Sequence, residues 1–310
     1  VKHIFVNLKR FDIPKKMGGI CPENDPLQWT KSIITESIGL QLGALEDIRL
    51  SYLLPESLIP TALETLSKFP IERTHQLDIG CQGIHWQDVS PGGNFGAFTT
   101  LLPASAAFNL GCTWAIIGHS EERKAKSEII QAFAPRIAED LPSLKKAQDG
   151  LNTLIQAEVN QALKAGLNVL LCIGESEQER GPGPFEQQQS RIREILKAQL
   201  LTNLADLSDQ ISDRQITIGY EPIWAIGPGK SPPGQEYIRF VSAHIKDTTL
   251  EHFGTAFPVV YGGGLKEENA AMIASIDTID GGLVALTRFS GDIGFSVPEL
   301  ASIIEKYAHQ

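Results

Sequence analysis

The side chains best placed to do chemistry stand in the stretch Ile218 to Lys230, which reads IGYEPIWAIGPGK. An apolar run, Ile216 to Tyr220, stops at a carboxylate, Glu221. Pro222, Trp224 and a Gly-Pro-Gly turn at Gly227 to Gly229 follow. This is the pattern of a buried strand that ends in an acid and leads into a loop with stiff ends and a small-residue tip. A carboxylate at the mouth of a strand, under a loop able to fold over it, suits a general base beneath a lid. A solvated glutamate before an ordinary turn reads the same way, so the rest of the chain has to decide.

Other reactive side chains also follow short apolar runs. Asn7 and Lys9 come after the first run, and Gly118-His119-Ser120-Glu121 after the fourth. Cys172-Ile173-Gly174-Glu175 closes the fifth, and Gly262-Gly263-Gly264 follows the seventh. Taken singly, a histidine after a strand is usually structural and an early lysine is usually solvated. Brought together, a carboxylate, an imidazole, an ammonium and a glycine-rich anion nest make a specific constellation.

Bringing them together requires particular elements. Strands are expected at His3–Asn7, Ile48–Leu53, Leu77–Gln82, Trp114–Gly118, Asn168–Ile173, Ile216–Tyr220, Pro258–Tyr261 and Gly281–Val284. Helical patterns fall between them, among them Leu58–Lys68, Thr153–Lys164, Ser190–Leu200, Glu236–Leu250, Glu267–Ser275 and Val297–Ala308. Strands alternating with helices predict an α/β fold with a parallel sheet. Eight such units close a (β/α)8 TIM barrel, whose sites lie at the C-terminal ends of its strands. The alternative, a doubly wound open sheet, would carry a glycine fingerprint after its first strand; Asn7-Leu8-Lys9-Arg10 has none. One barrel domain over residues 1–310 is expected, with additions at about 12–27 and 124–150. Pro135 and Pro142 break the second addition.

Bulk properties narrow the partners. The 310 residues carry a net charge of −10, which disfavours nucleic acid and anionic membrane. A small anion is still acceptable, because clustered N–H groups act locally. No apolar run approaches the roughly 20 residues of a membrane helix, and the opening VKHIFVNLKRFD lacks the apolar core of a leader. Four cysteines, none in CxxC spacing, read as reduced thiols of a cytoplasmic protein. The seven histidines are scattered, so no metal site is expected.

On these residues the chain resembles the triosephosphate isomerases. The likeness rests on Asn7-x-Lys9, GAFT (Gly96–Thr99), IIGHSEER (Ile116–Arg123), LCIGE (Leu171–Glu175), GYEPIWAIGPGK and VVYGGGLKEENA (Val259–Ala270). It implies an aldose–ketose isomerase of a short sugar phosphate that needs no cofactor, working through an enediolate. Glu221, His119 and Lys9 would be catalytic, and a lid would exclude water. Asn7, Gly227, Gly263, Gly264, Ala285, Leu286 and Arg288 fall at substrate-binding positions. A homodimer packing Asp88–Thr99 against its neighbour is expected.

The sequence also departs from the family. Gly264 stands where the family has serine, and Ala285 and Leu286 replace a glycine pair. Arg288 follows and could supply a guanidinium to the phosphate. Leu101 and Glu122 replace an acid and an arginine that pair in the family. Pro228 takes a lid-tip position and would stiffen it. A four-carbon ketose phosphate therefore stands beside triose phosphate as a substrate, and a non-catalytic metabolite-binding paralogue is the alternative of another class.

Overall fold

The computed structural model describes residues 1–310 except 23, 208–214, 228, 290 and 309–310. Its strands are β1 Lys2–Asn7, β2 Ile48–Leu54, β3 Leu77–Cys81, β4 Trp114–Ile117, β5 Asn168–Ile173, β6 Ile216–Tyr220, β7 Val259–Tyr261 and β8 Gly281–Val284. They pair in chain order as a closed parallel barrel, β8 returning to β1 with His3 opposite Gly281 and Val6 opposite Val284. The (β/α)8 expectation is met.

Alternation along each strand sorts the side chains into two layers. Phe5, Leu53, Trp114, Ile116, Leu170, Cys172, Val260 and Leu283 fill the barrel interior. Their neighbours, such as Ile4, Val6, Ile117, Leu171 and Ile218, face the helices and join the larger outer core. Each fully buried aliphatic side chain contributes roughly 1.5–3 kcal/mol. At the base of the barrel His3 stacks on Phe5 at 3.8 Å between ring centroids, and both meet Trp114 edge-on. Burial, reinforced by Arg49, lowers the His3 pKa to about 3. This histidine is a neutral packing group bonded to Ser51.

The helices are α1 Pro26–Gly39, α2 Ile59–Leu66, α3 Ala104–Leu110, α4 Ser120–Phe133, α5 Leu141–Ala165, α6 Glu177–Arg180, α7 Phe185–Asn203, α8 Gln235–Phe253, α9 Ala270–Ala274 and α10 Val297–Ala308. Four of them, α1, α3, α4 and α6, lie outside the helical runs named above. Asp25 caps α1 by accepting from the amides of Leu27 and Gln28. The stretch 124–150 continues α4 to Phe133, turns once at Ile137–Glu139, and enters α5 with Pro142 in its first turn. Proline is tolerated there because its missing N–H would have had no intrahelical acceptor. Strand β4 ends one residue earlier than expected, because Gly118 adopts φ +74 and leaves the extended region. No helix among the described residues is long and apolar enough to cross a membrane.

Candidate active site

The C-terminal ends of β1, β4 and β6 bring together the three side chains singled out as catalytic. Glu221 follows β6 directly and is only 2% exposed. Its Oε2 accepts from the Ser120 amide and its Oε1 from the Ser120 hydroxyl, both at 2.9 Å. His119 Nε2 lies 3.3 Å from Glu221 Oε1. The carboxylate is therefore held at the mouth of the barrel, touching the imidazole.

His119 is the N-cap of α4. Its Nδ1 accepts from the Glu121 amide at 3.3 Å. In the neutral ring this leaves the proton on Nε2, the nitrogen that faces Glu221. The turn carrying it is gripped on both sides. The Gly118 amide donates to Glu122 Oε2 at 2.6 Å, and Arg123 Nε donates to the Gly118 carbonyl at 2.7 Å. Glu122 thus has a partner within its own chain, and Lys126 bridges it to Glu158 on α5.

Lys9 reaches the same mouth from β1. Its Nζ donates to Glu121 Oε1 at 2.6 Å. Its backbone sits at φ +29, a strained value for a side-chain-bearing residue. Asn7 and Gln82 hold it there. Asn7 Oδ1 accepts from the Lys9 amide at 3.0 Å and from Gln82 Nε2 at 3.2 Å, while Gln82 also donates to the Lys9 carbonyl at 2.9 Å. Strain that the surroundings over-determine is a means of fixing where an ammonium points.

The loop after Glu221 is anchored by a residue to which the sequence reading gave no role. Glu175, fully buried after β5, accepts on one oxygen from Tyr220, Trp224 and Tyr237, at 3.0, 2.8 and 2.7 Å. Burial raises its pKa, and the three donors oppose the shift. Arg180 lies over the Trp224 ring at 3.8 Å. Beyond the single turn Ile223–Ala225 the chain loosens its contacts: Gly227 (φ +120) and Gly229 (φ +76) have open space around them. Lys230 reaches Glu177 at 3.4 Å. Pro228 lies outside the described residues.

On the neighbouring strand, Gly263 and Gly264 follow β7. A Cβ on Gly263 would meet Tyr261 Oη at 2.3 Å, so only glycine fits. Gly264 adopts φ +92. Neither amide donates to an acceptor among the described residues. Ala285 and Leu286 follow β8, and Leu286 packs its side chain against the outer core. Arg288 is engaged in its own loop, where its Nε donates to Glu299 and Asp292 lies 3.9 Å away. The structure thus brings Glu221, His119, Lys9 and Asn7 together, sets Gly263 and Gly264 at the end of β7, the strand next to the one that leads into Glu221, and occupies Arg288 with carboxylates.

Gln82, Ser120 and Glu175 are the supporting residues that the sequence reading missed. Each directly follows an apolar strand or its turn, which is the only signal the sequence carries for them. Among the described residues no three His, Cys, Asp or Glu side chains converge as a metal site.

Comparison with known proteins bears on this geometry. The family model described as triosephosphate isomerase matches residues 56–293. A triosephosphate isomerase of Nitratidesulfovibrio vulgaris (strain DP4) is 32% identical over 236 residues, covering 73% of this chain and 81% of the relative. One from Chlorobium phaeobacteroides is 28% identical over 264 residues, covering 84% and 90%. The crystal structure of triosephosphate isomerase from Bartonella henselae superposes with a TM-score of 0.66 at 20% identity, covering 99% of this chain and 98% of that one, a likeness of fold.

Proposed function

The chain belongs to the triosephosphate isomerase family, and from that premise we propose that it interconverts dihydroxyacetone phosphate and glyceraldehyde 3-phosphate through an enediolate. The observation that carries this reading is the contact between Glu221 and His119 at the strand ends, with the Lys9 ammonium anchored alongside.

Isomerisation moves one proton between neighbouring carbons and one between neighbouring oxygens. Glu221 removes a proton from the hydroxyl-bearing carbon and returns it to the former carbonyl carbon. To do so it exchanges its Ser120 bonds for substrate, and the segment Pro222–Lys230 is the element able to carry that movement. His119, with its proton on Nε2, donates to the oxygen on which charge develops, and Lys9 supplies a fixed positive charge beside it. The amides of Gly263 and Gly264, which have no acceptor among the described residues, can donate to a phosphate. Closure of the lid, with Gly227 and Gly229 as its pivots, excludes the water that would let the enediolate lose phosphate.

The same reading includes a homodimer. The loop Asp88–Thr99 leaves Phe95 93% exposed at φ +55. A cavity of about 500 Å3 lies beside it, lined by Trp86, Leu101, Leu102 and Ile129 and floored by Lys126 and Glu158. A second copy of the loop would cover apolar surface that water otherwise meets. The additions at 12–27 and 124–150 are elaborations of one barrel domain, and a cytoplasmic location fits four buried cysteines that form no disulfide.

A coupled assay on triose and tetrose phosphates tests the substrate. Turnover of triose phosphate is expected. Turnover of a tetrose phosphate alone would move the assignment to the four-carbon substrate, and binding without any turnover would favour the non-catalytic reading.

A further inference from the structure

We propose that Lys266 is a substrate-binding residue that supplies the charged donor for the phosphate group. This deepens the isomerase reading and rests on it for the identity of the anion.

The phosphate end has lost a hydroxyl at Gly264, and the cation that the sequence put forward, Arg288, is spent on Glu299 and Asp292. Lys15, the other basic residue near that loop, is also paired with Asp292. Lys266 differs from both. Among the described residues no carboxylate lies within ion-pair distance of its ammonium, and the neighbouring acid Glu267 is taken by Lys306. Its Nζ instead rests on the Phe289 ring, 3.8 Å from the centroid, and that ring is 47% exposed.

The position of the stem decides what the ammonium can reach. Lys266 Cε passes 3.8 Å from where a Cβ on Gly264 would stand, and among the described residues beyond its two chain neighbours no other atom comes within 4 Å of that point. The side chain therefore passes beside Gly264, in the turn whose Gly263 and Gly264 amides have no acceptor among the described residues, and ends on the loop that follows β8. The backbone beneath it is fixed: the Lys266 amide donates to Asn269 Oδ1 at 2.8 Å, and Asn269 Nδ2 donates to the Gly264 carbonyl at 3.0 Å. A small residue at 264 clears the path a serine would narrow. A half-exposed aromatic face holds an ammonium weakly compared with a charge-assisted bond to a phosphate. An arriving phosphate would take Lys266 from Phe289 while binding the two amides.

The test compares the parent with Lys266→Met, which keeps the stem on Phe289 but removes the charge, and with Lys266→Arg, which restores it. KM and kcat are measured with triose phosphate, and binding of inorganic phosphate is measured by calorimetric titration. Melting temperatures confirm that each variant is folded. Lys266→Met is expected to raise KM and the phosphate Kd by about fivefold or more, with kcat changed less than KM, and Lys266→Arg is expected to recover most of both. A change below about fivefold in the phosphate Kd, or a parent that binds no phosphate, would overturn the proposal. If the parent isomerises neither triose nor tetrose phosphate, the isomerase reading fails by itself, and the phosphate titration still judges Lys266.

Discussion

The proton on His119 is placed by one hydrogen bond. Because Nδ1 accepts from the Glu121 amide, the neutral ring can only donate through Nε2, into the mouth of the barrel. Removing the ring should leave the base in place but strip a donor from the developing oxyanion. His119→Ala is therefore expected to lower kcat by about 10²-fold or more, with little change in melting temperature. A steady-state assay paired with thermal melting checks this; retained activity with a lowered melting temperature would mark the histidine as structural. Glu221, His119 and Lys9 were legible in the sequence because each is a reactive side chain just past an apolar run. Gln82, Ser120 and Glu175 were not, because what they do depends on contacts 75, 101 and 62 residues away in the chain. Arg288 shows the converse. Its position after β8 suggested a ligand for phosphate, but nothing in the local sequence showed that Glu299 would claim its guanidinium.

At the scale of elements, two buried carboxylates connect the parts that carry the site. Glu175 joins the end of β6, the loop after Glu221 and α8 through three donors on one oxygen. Glu175→Leu would leave those donors buried without an acceptor, at about 1–3 kcal/mol for each one unsatisfied. A clear fall in the urea midpoint is expected, while Glu175→Gln, which keeps a carbonyl oxygen, should lose less. Glu158 joins α5 to α4. Its carboxyl is pushed up from 4.5 to about 9, by burial first and then by Glu122. Between those values the folded chain keeps a proton that the unfolded chain has released, so this group makes stability fall as pH rises through the window and level off above it. Glu122 has the opposite sign. Burial raises its pKa, but bonds from Glu158 and Lys126 prevail and lower it, so its contribution is present above the ordinary carboxylate range and is lost in acid. The melting temperature of the parent should drop between about pH 6 and about pH 9, and that of Glu158→Gln should drop less. Equal slopes in parent and variant would show that Glu158 is already ionised at neutral pH. The strands were readable because each is a short apolar run with a clear stop. Helix α3 escaped because seven mostly small residues, Ala104–Leu110, carry too little periodic contrast.

For the whole molecule, the barrel is what makes distant strand ends neighbours, and the number and order of the strands were already implied by the alternation of apolar runs with helical ones. What the chain could not state is how its surface is covered. Phe95 stands almost fully exposed on a loop whose flanking residues, Trp86 and Leu101, line a cavity. Light scattering at micromolar concentration is expected to give a dimer, and Phe95→Asp to shift it toward monomer; a monomeric parent would contradict that packing. The central claim is that Glu221 carries the proton between carbons. The most direct measurement is the turnover of triose phosphate by the parent and by Glu221→Gln, an exchange that keeps the size and shape of the side chain but removes the base. The account predicts that kcat falls by roughly 10³-fold or more while inorganic phosphate still binds. A variant that turns over within about tenfold of the parent would contradict it.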